Sequence, residues 1–456
     1  MKLVSTLLIV GLSLQGATIE QAHKLTLDEA IEILRQDNLE IKAANYELQS
    51  TQAKTDQASG MNWGSLDLIL NAANSDDAGN VFGFKLTSRK ATFGDFGFGD
   101  SNVPPMGTPG FLDTPPDTLN NPGSTNFFQT KLEYTLPIYV GGKISSYTSI
   151  SRSMEKMQRL ETDKTVNTKV YETRKAFYDM ALLEQAITNL TTIDENIKKL
   201  EETTEFMIEE GYAKRIDLLE VQAKRSNVER KLNEMEANKT LLYSYLSFLL
   251  NQEVTQITPP DSAVQESMLS TDEILSRNVD IKQAETGLEI RKEMVDISHS
   301  GYLPMIGLKA NVQSSATDLD EYDMVDNGSY MAGIQLKWNL FSGGSDSNKV
   351  EEAKVNELKT KTQVELAKKG IALKIDKIRT EIESYDYEIE SLTKELELST
   401  EIYKNYEERY REQLASMNDL IIKQSVQIEK VLALLEAQNK RNERVFALEK
   451  LANGDI

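Results

Sequence analysis

Two aspartates, Asp217 in GYAKRIDLLE and Asp419 in QLASMNDLII, occupy the same place in two similar stretches of this 456-residue chain. A carboxylate just past a helix stop such as Gly211 can accept the free N–H groups of the next helix; it can equally stand as a bare charge. Little else in the sequence could do chemistry. The absence of cysteine excludes disulfides, thiolate metal sites and a lipid-bearing N-terminal cysteine. Two histidines, His23 and His299, are too few for a histidine zinc site. GDFGFGD lacks the strand–turn–helix setting of a nucleotide loop, and NSDDAGN offers scattered acids and amides that suit a solvated turn better than a calcium ion. With no nucleophile–base pair, phosphate loop or metal-ligand cluster, the chain is expected to be no enzyme and to carry no cofactor or metal. A formal charge of −21 argues against nucleic acid as a partner.

The elements that would position those aspartates are long. Only 39% of the chain is hydrophobic, which suits elongated helices with narrow apolar stripes better than one large core. The N-terminal MKLVSTLLIVGLSLQGA has one lysine, an apolar run and then small residues, the pattern of a secretory signal peptide over residues 1–22. No other segment approaches the roughly 18 apolar residues of a membrane helix. Any membrane crossing must therefore be made by strands.

The chain repeats itself. A shift of 202 positions carries Gly141-Gly142 onto Gly343-Gly344, Tyr139 onto Phe341 and Asp217 onto Asp419; a shift of 240 carries NLEIKAA at Asn38 onto NVDIKQA at Asn278. The difference is extra sequence in the first copy between Asn74 and Thr125. Each copy has two runs of period two, the signature of a strand with one apolar and one polar face. Leu66, Leu68, Leu70 and Ala72 oppose Asp67 and Asn71; Phe128 to Ile138 in steps of two oppose Gln129, Lys131, Glu133 and Thr135. In the second copy Ile306, Leu308, Ala310 and Val312 oppose Lys309, Asn311 and Gln313, and Tyr330 to Leu340 oppose Gln335, Lys337 and Asn339. Their lengths suit tilted membrane strands, which need about 9–11 residues. Trp63, Tyr139, Tyr302, Trp338 and Phe341 sit near the strand ends, where an aromatic girdle would lie.

The helices follow a different period. Ile371, Ile375, Ile378, Ile382, Tyr385, Ile389, Leu392 and Leu396 alternate steps of four and three, the 3.5-residue repeat of a supercoiled seam. The stretch from Ile144 to Glu210 has neither glycine nor proline. As a helix it would run roughly 100 Å, a rod or a tube wall. Pro137 is expected to end strand pairing, and the glycine pairs Gly141-Gly142 and Gly343-Gly344 to turn each strand sharply into its helix.

The strand–Gly-Gly–helix junctions LPIYVGGK and NLFSGGSD, the motif GYAKRIDLLEVQ, the opening LTLDEAIEILRQDNLEIKAA and GYLP before a strand resemble the outer membrane efflux protein family, the TolC-like channel-tunnels. The resemblance covers nearly all of the chain after the signal peptide. It implies a mainly α protein with membrane β structure: a homotrimer whose protomers each give four strands to a 12-stranded barrel in outer membrane lipid. A long coiled α-helical barrel would continue it into the periplasm. It also implies a periplasmic gate at the helical tips, formed by acidic rings and tyrosine links to arginine or aspartate. Asp419 matches the first acidic position and Tyr410 the tyrosine, with Asp217 and Arg215 at the corresponding tip of the first copy. Ile422 stands at the second acidic position and Ala415 at the arginine, so the double ring is incomplete. Three copies of Asp419 would still favour cations over anions.

The expected layout is then a first repeat, 23–250, with strands 62–74 and 125–140, a long extracellular loop 75–124 and a helical hairpin 144–250. A linker, 251–270, leads to the second repeat, 271–456, with strands 303–316 and 330–342, a loop 317–329 and a hairpin 345–451. The expected function is an outer conduit for small molecules or proteins, docked to a periplasmic adaptor and an inner membrane pump in tripartite efflux or type I secretion. A periplasmic coiled-coil scaffold or adaptor without a pore is the alternative.

Overall fold

The computed structural model describes residues 24–260, 264–266, 268–318, 323 and 327–453. The expected signal peptide lies outside the described residues, as do parts of the expected linker and of the loop 317–329. In the first repeat α1 (Leu27–Asp37) and α2 (Leu39–Gly60) lead into β1 (Ser65–Ser75). Helices α3 (Ala78–Thr87) and α4 (Asp117–Asn120) precede β2 (Thr125–Val140), and α5 (Lys143–Glu209) and α6 (Arg215–Leu250) follow it. The order recurs as α7 (Thr271–Arg277), α8 (Val279–His299), β3 (Met305–Ala316), β4 (Gly328–Lys337), α9 (Ser345–Arg411) and α10 (Met417–Leu451). The protein is thus mostly helical, with a small antiparallel sheet.

The described residues divide into two compact units, one drawn from 24–47, 159–282 and 366–453, the other from 48–158 and 283–365. The division falls inside α2, α5, α8 and α9, so each unit draws on both repeats.

The first unit is helical. Its short helices open on capping boxes, in which Thr26 and Glu29, and again Ser270 and Glu273, bond each other's backbone N–H. Each then breaks at an asparagine. The Asn38 amide donates to the Leu249 carbonyl (2.7 Å) while its oxygen accepts from Ile41 N–H (3.0 Å). Asn278 repeats the arrangement with Leu451 (3.0 Å) and Ile281 (3.1 Å). One buried side chain thereby caps the second short helix and ties it to the end of the returning hairpin. The apolar stripes close over these clasps: Leu34, Ile41, Phe177, Met180, Leu246 and Leu249 in one core, Ile274, Ile375, Ile378, Ile382, Phe446 and Leu448 in another. Between them Arg174 reaches Glu449 (2.5 Å) and lies over the Phe446 ring. Burial pushes the Glu449 carboxyl above its usual range, and the Arg174 charge opposes that.

The second unit contains the sheet, in which β1, β2, β3 and β4 pair antiparallel in chain order. The register puts Leu68, Leu132, Val312 and Tyr330 in one row and Asp67, Glu133, Asn311 and Met331 in the next. Strand β1 starts at Ser65 because Met61–Trp63 forms a 3-10 turn and Gly64 has φ +70°. A side chain at Gly64 would collide with the Thr135 carbonyl. Strand β4 ends at Lys337, opposite Met305, the first residue of β3. Pro137 does not end pairing. Strand β2 continues to Val140, opposite Met305, with a register shift between Pro137 and Tyr139. A residue without an N–H bends the ladder into a bulge there.

Candidate conduit surfaces

The sheet is inside out for a water-soluble fold. Its apolar face is bare, with Leu68 64% and Ile334 71% exposed. Its polar face is the better packed, the Glu133 side chain being only 13% exposed. There Glu133 pairs with Lys131 and with Lys309 (2.8 Å). Beside them Asn71 donates to Gln129 (2.9 Å), and Gln129 to Gln313 (3.2 Å), a polar rung across three strands. Sequence alternation had assigned these residues to one face; the rung itself follows from the register.

The aromatics gather at one end of the sheet, where β1 and β3 begin and β2 and β4 end. The Tyr134 hydroxyl donates to the Trp63 carbonyl (2.8 Å), and Trp338 Nε1 donates to the Tyr302 carbonyl (3.0 Å). Trp63, Tyr139, Trp338 and Phe341 are all exposed there.

At the same end the chain turns from strand to helix. Gly141, Gly142, Gly343 and Gly344 all have positive φ, between +63° and +86°. Two successive left-handed residues reverse the chain where a side chain would be strained. At Gly141 a side chain would also press on the Ser300 carbonyl and Leu303 at 3.0 Å, whereas Gly343 faces open space. Asp346, at the start of α9, accepts from Ser342 Oγ and Lys349, which hold its carboxyl below the usual range.

At the far ends of the long hairpins both aspartates close turns. Asp419 accepts from the Ser416 hydroxyl (2.6 Å) and N–H, which lower its pKa, and Ser416 in turn caps α10. The Asp217 carboxylate accepts the Lys214 N–H (2.8 Å), and Arg215 opens α6 as an exposed residue. Tyr410 is 5% exposed, in a cluster with Leu200, Met207, Met417 and Leu420. Its hydroxyl lies 3.4 Å from Thr204 Oγ1, and burial raises its pKa. The structure thus brings Tyr410 to Thr204 between the two hairpins, while Asp217 and Asp419 stand at their own helix starts.

Sequence reasoning missed one contact. Phe127 stacks on Phe84 of α3, with ring centres 4.4 Å apart at 11°. The signal was the pair Phe127-Phe128, two aromatics where alternation calls for one. Asp77 of NSDDAGN caps α3 through Asn80 N–H (3.0 Å). Among the described residues there is no cluster of three metal-ligating side chains, and no helix is long and apolar enough to cross a membrane.

Residues 271–454 match the family model described as outer membrane efflux protein. No curated protein matches the chain. Among solved structures, CusC, described in connection with transmembrane channel formation, aligns at a TM-score of 0.77 and 12% identity over 93% of this chain and 91% of its own. The outer membrane protein VceC of Vibrio cholerae aligns at 0.73 and 18% identity, covering 94% and 96%. The Neisseria gonorrhoeae outer membrane channel MtrE, in its open state, aligns at 0.73 and 14%, covering 94% and 88%. At such identities the structures speak for the fold. The second repeat thus matches the outer membrane efflux protein model, and the fold of the whole chain is that of these outer membrane channel structures.

Proposed function

We propose that this chain is one protomer of an outer membrane channel that passes substrates from the periplasm to the exterior. The observation that carries the reading is the inverted sheet: an exposed apolar face suits lipid, and a paired polar face suits a water-filled bore. Strands β1 and β4 form the two edges, and unpaired backbone in lipid costs several kcal/mol per group. Each edge therefore needs another copy, and a head-to-tail β1–β4 contact closes a ring. Three copies give a 12-stranded barrel, with the exposed aromatics as its inner-leaflet girdle. The hairpins of three copies continue the bore as a helical barrel into the periplasm. There the tips meet an adaptor and an inner membrane pump, and Asp419 and Asp217 set the charge of the entrance. The cargo is a small molecule or a protein delivered by that pump, in efflux or type I secretion.

Planar-bilayer recording of the purified protein tests this. Discrete pores are expected, with the cation preference reduced by Asp419→Asn. A detergent-free soluble protein that forms no pores would contradict the reading and leave a periplasmic scaffold in its place.

A further inference from the structure

The segment between β1 and β2 is a folded body. Asp95 closes a turn with Thr92 and receives Lys85 Nζ at 2.6 Å. Phe82 meets Phe96 edge-on at 4.5 Å. Asp100 accepts from the Thr118 N–H (2.8 Å) and hydroxyl (2.5 Å), and Asn102 donates to the Pro115 carbonyl (3.0 Å). Gly97, at φ +77°, fits because a side chain there would overlap Pro116.

This body has a definite place on the sheet. Phe127 shares its face with Gln129, Lys131 and Glu133, as the alternation of a strand requires. It is the polar face, yet Phe127 is only 8% exposed there because Phe84 lies on it. Val81, one turn before Phe84, is buried to 1%. Helix α3 also touches β3 as well as β2. The insert is thus anchored over the polar side of the sheet, at the end bearing Ser75 and Thr125, opposite the aromatic end.

We infer that residues 78–121 form an outer size filter, an element lying in the mouth of the bore that sets the largest cargo able to leave. The inference rests on the conduit reading above. If the polar face lines the bore, a body seated on that face occupies it, and three copies narrow the exit from three sides. A rigid pore element excludes by diameter. The Phe84–Phe127 stack and Val81 hold it in place. The corresponding connection in the second repeat, residues 317–327, is far shorter, so the narrowing comes from one insert per protomer.

The absence of cysteine makes the test direct. Met331 lies on the polar face of β4, in the row of Glu133 and Asn311, and is 53% exposed. In intact cells carrying Met331→Cys, a small water-soluble methanethiosulfonate and a maleimide bearing a long polyethylene glycol chain are compared. Both are applied to the parent, to a chain with residues 78–121 replaced by a short Gly/Ser turn, and to Phe84→Ala. The small reagent should label all three alike. The large reagent should label the shortened chain about tenfold faster than the parent, with Phe84→Ala between them. Equal rates for the large reagent in parent and shortened chain would overturn the filter while leaving the conduit intact; should the shortened chain not assemble, a Phe84→Ala rate equal to the parent's does the same. Failure of the small reagent to label any of them would show that the polar face meets no water, and would overturn both.

Discussion

At the residue scale, the two asparagine clasps are the most exacting parts of the helical unit. Each amide serves a helix start and the end of a distant helix at once, and both contacts are buried. Removing such a group leaves a buried carbonyl and an N–H without partners, at a cost of about 2 kcal/mol. Asn38→Ala and Asn278→Ala should each lower the denaturation midpoint by a similar amount, since the two sites repeat one geometry. A variant as stable as the parent would show that water replaces the clasp. Asp95 adds a pH dependence. The Lys85 hydrogen bond, with those from Thr92, lowers its pKa to about 2. A carboxylate whose pKa falls on folding stabilises the fold above its unfolded value and loses that contribution as pH drops through the folded one. The insert should therefore hold at pH 5 and loosen between pH 4 and pH 2. Amide exchange over residues 78–96, corrected for intrinsic rate, reports this; Lys85→Met should shift the loosening to higher pH.

At the scale of elements, the glycine pairs distinguish geometry from contact. Gly141 and Gly343 share a left-handed backbone, so alanine costs each about 1–2 kcal/mol. Only Gly141 also faces the Ser300 carbonyl at close range. Gly141→Ala should therefore lower thermal stability more than Gly343→Ala; the reverse order would mean that backbone strain alone governs the junction. Much at this scale was legible in the sequence, because period two, the 3.5-residue repeat and glycine or proline breaks are local signals. The positions of Leu68, Ile375 and Gly211 follow from spacing alone. What was not legible depends on distant partners. Pro137 bends β2 instead of ending it, because β3 runs alongside as far as Met305. Tyr410 is drawn inward to Thr204, 206 residues away in sequence. Phe127 has its meaning only once the insert folds back over it.

At the scale of the whole molecule, the decisive feature is a sheet that one chain leaves open at both edges, with its oily face outward. Such a surface is tolerated in lipid and not in water, and each open edge asks for a neighbour. The helical unit differs in having cores that close within the chain around Phe177 and Phe446. In the conduit reading proposed above, the strands are the part of each protomer that meets lipid. The most direct test places a fluorophore singly at residues 66 to 71 of β1 in protein reconstituted into liposomes. Brominated lipid should quench the label at residues 66, 68 and 70, and aqueous iodide at 67, 69 and 71. Quenching by iodide at all six positions, with none by lipid, would contradict the account.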